Sequence, residues 1–566
     1  MLEPTTYQLY YPVGTPRPAW DLVKPGRVSL SGRREDHKVR INEWIESCDF
    51  THQGCAVKDA ELPRRVLDIG AEINHRIYLH VSESQVAPYV ALSHCWGKGP
   101  VLQTTTGTVA NRTHEISYHS LPKSFQDAVT VTRNIGVRYL WIDSLCIVQD
   151  DTLDWEVESS KMASIYSNAF LVLAASQASE SSEGFIDRKD IDFQHTWQLN
   201  PSKSTKIAHM RNPDSTTSEI YSRPMSTGHR SGESHHRWKV TSSPLNRRGW
   251  VLQESILARR IVHFTASEMV WECVQCLKCE CMEVEADESE ATYWSEFNMV
   301  RNSRTKHPGS ERIPRINGLY VQWRELLGSY GTRVLSKDAD RLPALSGLAK
   351  HCQSQGAGKY LAGLWENDLL KSLVWHPRTD EPVQRWKEYM APTWSPFSVG
   401  YIERLDGLRE AGYWYCYEAG YHERWGKPQA QILEAQCVPA GEDPTGAVKD
   451  GFLVLRGAMK KDNPDSPDHI WMMSDSDESD SDDPLERTAW SYISWDRPTE
   501  QTERSEMVFF LLWADFKKGY IKALYLVPVQ GAPGTYTRTG IVDSHFGDKG
   551  LAKFLRDVEV GEVKIV

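Results

Sequence analysis

Between residues 88 and 177, short apolar runs alternate with segments whose apolar residues recur every three or four positions. The apolar runs predict strands and the periodic segments predict helices. In chain order the predicted elements are a strand at Tyr89–Ser93, a helix at Lys123–Asn134, a strand at Tyr139–Ile147, a helix at Trp155–Asn168 and a strand at Phe170–Ala175. Strands that alternate with helices favour an α/β fold in which helices cover a parallel sheet.

The second predicted helix carries an acid on its apolar side. At about 100° per residue, Glu158 falls within the same arc as Trp155, Met162 and Ile165. This helix follows a strand that runs into polar residues, an arrangement with which α/β proteins build sites. A carboxylate on the apolar side of a helix is either paired or functional.

The rest of the chain divides by composition into further segments. A length of 566 residues predicts two or three units. We predict an N-terminal annex over residues 1–85, the α/β domain over 86–285 with a polar insertion at 188–243, a helical connector over 286–355, and a Trp-rich, β-containing C-terminal domain over 356–566. The insertion is rich in Ser, Thr, His and Arg and is typical of a long surface insertion or a disordered loop. An acidic Ser/Asp run at 474–483 predicts a solvated loop and a candidate phosphorylation target.

Outside the central block, shorter patterns predict additional elements. They are a helix at Lys38–Cys48, a strand at Leu62–Ile69, a helix around Trp250–Glu254, and strands at Arg260–Phe264 and Glu268–Cys273.

Charge and hydropathy exclude several classes of protein. A net charge of −11 and a pI near 6.0 leave no basic surplus for general binding to nucleic acids or anionic membranes. The chain has no charged and apolar leader and no run approaching 18 apolar residues, so we expect a cytoplasmic protein without a membrane span. Eleven irregularly spaced cysteines predict reduced thiols or metal ligands more than disulfides.

Several segments of the α/β block together resemble the HET domain of fungal heterokaryon-incompatibility proteins. The similar segments are Tyr89–Gly97, Leu121–Phe125 with Asp127 and Ala128, Arg138–Ile147, Gln149–Asp151, Asp154 and Trp155 with Glu158, Met162 with Ile165, Tyr166 and Ala169, then Arg247–Glu254 and Trp271–Cys273. The family usually has Ala where this chain has Gly249. Segments Asp340–Ala349, Ala362–Trp365 and Ala391–Ser395 resemble the tails of large HET proteins.

The resemblance implies a function in the fungal response to non-self, in which HET-domain proteins execute regulated cell death after hyphal fusion. HET domains are distantly similar to TIR domains, which share a flavodoxin-like sheet. Some TIR domains cleave the nicotinamide bond of NAD with a glutamate that lies on a helix, usually four residues after a Trp. Glu158 follows Trp155 by three residues. The resemblance therefore implies NAD as a substrate and Glu158 as the catalytic residue.

Five further residues are candidates for substrate binding. Cleavage of a nicotinamide N-glycosidic bond passes through an oxocarbenium-like state, which a carboxylate near the ribose can stabilise. Trp96 and Trp250 are suited to stack on nicotinamide or adenine, and Ser93, Asp143 and Gln253 to hydrogen-bond ribose or amide groups. The alternative is structural, with Glu158 paired to Arg248 or capping a loop and the Trp residues in the core.

The cysteines supply two other candidate sites. Cys273, Cys276, Cys279 and Cys281 have spacing suited to zinc, and Cys48, His52 and Cys55 form a second set; free thiols are the alternative. Cys146 with His94 and Asp143 offers a thiol nucleophile, a base and an orienting acid. Because Cys146 lies in an apolar run, we favour a core position for it.

Two hypotheses of function remain. In the first, the HET block consumes NAD when self-association or another incompatibility protein activates it. In the second, it is a signalling module without catalysis that recruits a separate cell-death executor. Charge and motifs give no support to nucleic acid as a partner.

Overall fold

The structure is a computed structural model in two compact units, Met1–His307 and Pro308–Val566. It describes residues 6–12, 16–20, 23–26, 34–52, 54–55, 60–70, 76–187, 205–225, 240, 243–266, 269–280, 315–377, 385–403, 409–411, 414–416, 426–461, 490–495, 506–545 and 558–566. The acidic run 474–483 lies outside these residues.

The first unit mixes strands and helices. Its strands are β1 (Thr6–Pro12), β2 (Lys24–Gly26), β3 (Arg65–Asp68), β4 (Tyr78–Val81), β5 (Tyr89–Ser93), β6 (Tyr139–Ile142), β7 (Leu171–Ala174), β8 (Thr205–Arg211), β9 (Thr217–Met225), β10 (Arg260–Phe264), β11 (Met269–Cys273) and β12 (Leu277–Cys279). Its helices are α1 (Arg34–Thr51), α2 (Val109–Arg112), α3 (Lys123–Asn134), α4 (Asp143–Cys146), α5 (Thr152–Ser160), α6 (Met162–Asn168) and α7 (Gly249–Leu257).

Eight of these strands form one mixed sheet in the order β12-β11-β10-β7-β5-β6-β3-β4. Its centre is parallel, because β5 pairs in parallel with β6 and β7, and β7 pairs in parallel with β10. Numbered along the chain, the four parallel strands have the order 2-1-3-4, with which a flavodoxin-like doubly wound sheet also begins. The predicted α/β class with a parallel core is confirmed, and antiparallel strands extend the sheet at both edges.

Burial explains why these segments form central strands. Every residue of β5, β6 and β7 is buried, which is typical of parallel strands covered on both faces. Helix α3 begins after Pro122 and buries Phe125, Ala128 and Val129. It ends before Gly136, whose φ of +76° favours glycine.

Several predicted bounds were wrong. The helix predicted at Lys38–Cys48 extends over Arg34–Thr51, and the strand predicted at Leu62–Ile69 is limited to Arg65–Asp68. Strand β6 ends at Ile142 and not at Ile147, because the backbone carbonyl of Asp143 accepts from the Ile147 amide and closes the helical turn α4. The helix predicted over Trp155–Asn168 consists of α5 and α6, which meet at Lys161. The predicted bounds of β5, α3 and β10 are confirmed.

Part of the polar insertion is ordered as strands. Strands β8 and β9 form an antiparallel hairpin, and β9 pairs with β1, which in turn pairs with β2. The alternative of a disordered loop was therefore wrong for residues 205–225, and that of a surface insertion stays a prediction. The alternation is hard to detect in the sequence because most side chains here are polar on both faces.

The second unit is rich in strands. They are β13 (Tyr360–Leu361), β14 (Leu364–Trp365), β15 (Trp375–Pro377), β16 (Tyr401–Glu403), β17 (Arg409–Ala411), β18 (Trp414–Cys416), β19 (Lys427–Pro428), β20 (Ala430–Pro439), β21 (Val448–Lys461), β22 (Trp490–Trp495), β23 (Val508–Asp515), β24 (Tyr520–Pro528), β25 (Thr535–His545) and β26 (Glu559–Ile565). Helices α8 (Arg315–Gly331), α9 (Pro343–Ser354) and α10 (Leu369–Ser372) precede most of them.

The largest sheet of this unit joins β19 to β26 and curls back, since β21 pairs with both β26 and β23. The buried guanidinium of Arg538 lies 3.6 Å from the Trp375 ring centroid and donates to the carbonyl oxygens of Leu373 and Trp375. The predicted separate β-rich C-terminal part is confirmed. Among the residues described in either unit, we find no helix with the length and apolar character needed to cross a membrane.

Candidate functional site

The candidate site lies where the order of the parallel strands reverses. Strand β5 is flanked by β6 and β7, so the chain leaves β5 for one neighbour and later returns to the other. In doubly wound sheets, ligands bind at the carboxyl ends of the strands at this switch point. Ser93 is the last residue of β5, and Asp143 follows β6 directly.

A buried carboxyl faces the end of β5. The Glu254 side chain, on α7, accepts a hydrogen bond of 2.5 Å from the Ser93 hydroxyl. Glu254 also interacts with the hydroxyl of Tyr166, which donates 3.2 Å to the Leu92 carbonyl oxygen. Helix α6, which carries Tyr166, packs against α7 and so fixes the position of this carboxyl.

The environment of Glu254 favours its neutral form. Burial raises the pKa of Glu254 from 4.5 to about 7, although the nearby Arg248 guanidinium and the Ser93 hydroxyl act to lower it. The Asp143 carboxylate adds to the increase. At neutral pH the group therefore populates both protonation states, as acid–base catalysis requires.

Trp96 and Asp143 form the more exposed side of the site. The indole Nε1 of Trp96 donates 2.9 Å to Oδ2 of Asp143, and the Ser144 amide donates 2.7 Å to Oδ1. Both side chains are partly exposed. Two of the predicted substrate-binding residues thus contact each other directly and remain accessible to solvent.

His94 lies beneath this pair. Its Nδ1 is 3.7 Å from Oδ1 of Asp143, and its ring meets Phe125 edge-on at 4.9 Å. Burial lowers the pKa of His94 to about 4, although Asp143 acts to raise it. The imidazole is therefore neutral at physiological pH.

Arg248 links the segments around the site. Its guanidinium donates to the carbonyl oxygen of His94 and interacts electrostatically with Glu254. Because Arg248 directly precedes α7, this contact joins the start of that helix to the segment after β5. Trp250 and Gln253 lie on the same helix, partly buried and buried respectively.

The residues of the candidate site lie in a segment that matches a known protein family. A profile of the heterokaryon incompatibility protein (HET) family matches residues 89–254. Residues 89–254 are a HET domain. Neither the curated proteins nor the solved structures contain a match to the chain. A HET domain implies a role in heterokaryon incompatibility and the cell death that accompanies it.

Glu158 is buried in the HET domain, although the apolar arc on which it was predicted to lie is divided between α5 and α6. Its side chain is 1% exposed, and its Oε1 lies 3.6 Å from Nζ of Lys161, one turn along the chain. Within the described residues, Oε1 accepts no hydrogen bond. Its role in catalysis stays a prediction.

The acidic motif before Glu158 holds α5 against the sheet. Asp151 caps α5 by accepting from the amides of Leu153 and Asp154. The buried Asp154 carboxylate pairs with Arg64 and with Arg65, on β3. These acids of the HET motif are therefore occupied in structural contacts.

Cys146 belongs to the core of the HET domain. Its side chain is 1% exposed, and burial raises the pKa of the thiol to about 12. A protonated, buried thiol does not act as a nucleophile at neutral pH, which supports the interpretation of Cys146 as a small apolar residue.

The two cysteine sets seen in the sequence meet outside the HET domain. Cys273 lies with Cys48, His52 and Cys55, and Sγ of Cys276 is 3.5 Å from Sγ of Cys273. The side chain of Cys279 and residue Cys281 lie outside the described residues, so their predicted part in a metal site stays a prediction.

Sequence reasoning did not single out Glu254 as a buried acid at the switch point, although its motif was recognised. Helix α7 is apolar on most sides and buries seven of its nine residues, so its periodicity does not identify an inward-facing acid. A usable signal was the spacing of Trp250 and Glu254, which are four residues apart.

Proposed function

We propose that the HET domain of this protein hydrolyses the bond between nicotinamide and ribose in NAD, and that Glu254 is its catalytic residue, acting in its ionised form. The buried Glu254 carboxyl on Ser93, at the switch point of the sheet, is the observation that carries the proposal. Depletion of NAD would then cause the cell death that a HET domain implies.

The residues suit this chemistry. Cleavage breaks the bond between C1′ of the ribose and the pyridinium nitrogen, and nicotinamide leaves with the bonding electron pair. Water adds to C1′ and loses a proton, which gives ADP-ribose, nicotinamide and H⁺. The ionised form of Glu254 stabilises the positive charge that develops on the ribose or orients its hydroxyls, and it can accept the proton from water.

The resemblance to TIR domains supports Glu254 over Glu158 for this role. The expected glutamate lies four residues after a Trp, and Trp250 and Glu254 have that spacing, whereas Trp155 and Glu158 are three apart. Glu254 also contacts the end of β5, where ligands of such sheets bind. Glu158, whose carboxylate is near Lys161, remains the second candidate.

The other candidate residues have separable roles. Trp96 and Asp143, which a hydrogen bond joins and which are partly exposed, would receive the nicotinamide or its ribose. Ser93 positions Glu254 through its hydroxyl. Trp250 and Gln253, on the helix of Glu254, would contact the substrate only after that helix moves, because Gln253 is 1% exposed.

Burial of the acid suggests how activity is controlled. Ser93 and Glu254 are 1% and 3% exposed, so NAD cannot reach them in this conformation. Self-association or binding of another incompatibility protein would open the site by displacing the segment after β5 or helix α7. Arg248 connects this segment to the start of the helix. The protein would then be inactive until it is assembled.

The decisive experiment compares NAD turnover by the full chain with and without a crowding agent that forces self-association. Glu254→Gln keeps the shape of the side chain and its acceptor for Ser93, so it removes ionisation with little change in packing. Glu158→Gln is the matched control on the other buried acid, and both variants are checked for native circular dichroism.

Release of nicotinamide by the native chain and by Glu158→Gln, but not by Glu254→Gln, is the expected result. Loss in Glu158→Gln alone would transfer the catalytic role to Glu158. If the native chain releases no nicotinamide under any condition and its expression still kills cells, the domain is a recruiting module and the enzyme proposal fails.

A further inference from the structure

Four potential metal ligands converge from two distant parts of the first unit. Cys48 and His52 lie one turn apart at the end of α1, and Cys55 follows shortly after. Cys273 ends β11, and 221 positions separate it from His52. One ligand atom from each of these four residues lies within 4.8 Å of all the others.

The distances suit tetrahedral coordination. Two thiolates, each about 2.3 Å from a zinc ion, lie about 3.8 Å apart when the angle between them is tetrahedral. Within the set, Sγ of Cys273 is 3.4 Å from Nδ1 of His52, and every pair of the four ligand atoms lies within 4.8 Å. Cys276 lies beside this set, with its Sγ 3.5 Å from Sγ of Cys273 and 3.9 Å from Nδ1 of His52. The distance between the two sulfurs is far longer than the S–S bond of a disulfide, which is about 2 Å.

Backbone amides point at the sulfurs as they do around a bound thiolate. The turn between β11 and β12 directs the amides of Gln275 and Cys276 at Sγ of Cys273, at 3.4 and 3.3 Å. Val274, in the same turn, supplies a backbone hydrogen bond to Cys55. Such donors orient metal-bound sulfur and offset its negative charge.

A buried cation adds to this compensation. The Arg260 side chain, fully buried on β10, interacts with Cys48 and donates to Asp49. Three thiolates, one neutral imidazole and one Zn²⁺ carry a net charge of −1, which favours a nearby guanidinium, here shared between Cys48 and the Asp49 carboxylate. The environment is therefore suited to a metal–thiolate centre.

We propose that Cys48, His52, Cys55 and Cys273 bind one Zn²⁺ in a closed, structural site that joins the end of α1 to the β11–β12 hairpin. Soft sulfur and imidazole ligands in a tetrahedral set favour Zn²⁺ over Mg²⁺ or Ca²⁺, which bind oxygen. Binding releases the thiol protons to solvent and leaves no open position for a substrate. Cys276, half-buried beside Cys273, is a neighbour of the four ligands.

Contacts around the proposed site hold α1 against strands β11 and β12 without a metal. The rings of Trp44 and Trp271 are 6.1 Å apart, and Nζ of Lys278 donates 2.9 Å to the hydroxyl of Ser47. A rigid frame of this kind positions the ligands before the metal arrives, which raises affinity.

Metal analysis of the purified full chain tests the proposal. We expect one zinc ion per chain in the native protein and in Cys352→Ser, which alters a buried cysteine of the second unit. Cys48→Ser, His52→Ala and Cys273→Ser should each lose most of the zinc, whereas Cys276→Ser should retain it. A native chain well below one equivalent after growth with zinc overturns the site.

A second measurement covers variants that fail to fold. The native chain, stripped by a chelator and refilled with Co²⁺, should show the thiolate charge-transfer and intense visible bands of tetrahedral cobalt. Chelation should also increase amide exchange in the last turn of α1 and in the β11–β12 hairpin. Octahedral cobalt spectra, or zinc loss in Cys276→Ser with retention in His52→Ala, would contradict this set of ligands.

Discussion

The Ser93 hydroxyl donates a hydrogen bond of 2.5 Å to the Glu254 carboxyl across 161 positions of the chain. The bond joins the end of the first parallel strand to the helix that precedes the fourth. It therefore connects the geometry of the sheet to the protonation of the proposed catalytic carboxyl group.

Ser93→Ala should shift the pH dependence of NAD hydrolysis upward. The hydroxyl acts to lower the pKa of Glu254, so its removal favours the neutral carboxyl and raises the pH of half-maximal activity. Folding stability should also fall by about 1–2 kcal/mol, because a buried acceptor loses its donor. A pH–rate profile of native and variant protein measures the shift, and an unchanged midpoint would contradict a positioning role for Ser93.

Glu254→Gln should make the first unit more stable at higher pH. The folded-state pKa is about 7 against 4.5 in the unfolded chain, so the folded state binds this proton more tightly. Stability of the native chain therefore falls as pH rises from 4.5 to about 7, by about 3 kcal/mol in total. Glu254→Gln cannot ionise at this position, so its folding stability does not fall in this way.

Amide hydrogen exchange of β5 and α7 at several pH values, corrected for the intrinsic rate, measures the difference between the two proteins. We expect the variant's advantage to appear above pH 4.5 and to level off above about 7. An equal pH dependence in both proteins would mean that Glu254 does not titrate in this range.

His94→Gln should make folding stability less sensitive to acid, because native His94 destabilises the folded state as pH falls. The folded-state pKa of His94 is about 4 against 6.5 unfolded, so the unfolded chain binds the proton more tightly. This contribution to stability is present above pH 6.5 and is lost as pH falls from 6.5 to about 4. An NMR titration of carbon-labelled histidine, with the variant to assign the signal, should show a neutral ring at physiological pH. A midpoint near 6.5 would contradict its burial.

Asp127→Ala should destabilise the HET domain by about 3 kcal/mol or more, because it leaves buried donors without their acceptor. The Asp127 carboxylate, which is 2% exposed, pairs with Lys123 and accepts from the amides of Phe185 and Ile186. Thermal unfolding measures the loss, and Asp150→Ala, at an exposed carboxylate, is the control that should change little. Equal effects of the two variants would be evidence against this role.

Local patterns of apolar residues in the sequence were sufficient to predict much of the central sheet. The bounds of β5, α3 and β10 follow from apolar runs and from Pro122 and Gly136, since each signal lies within the element or just beside it. The hairpin β8–β9 was not predictable, because its polar strands depend on pairing with β1 near the start of the chain.

The candidate site shows the same division between local and distant signals. Glu158 stands out in the sequence because polar residues contrast with the apolar arc predicted over Trp155–Asn168, whereas α7 is apolar almost throughout and conceals Glu254. Cys48 and Cys273 were recognised separately, since only the folded chain brings the end of α1 to the turn after β11.

The edges of the parallel core determine which fragment of this protein can be studied alone. Strand β6 is bonded to β3, and β7 to β10, yet β3 and β10 both lie outside residues 89–254. A fragment cut at the family boundaries would present two bare, apolar strand edges to solvent and would aggregate. The natural unit for expression is therefore Met1–His307, which keeps both edges covered.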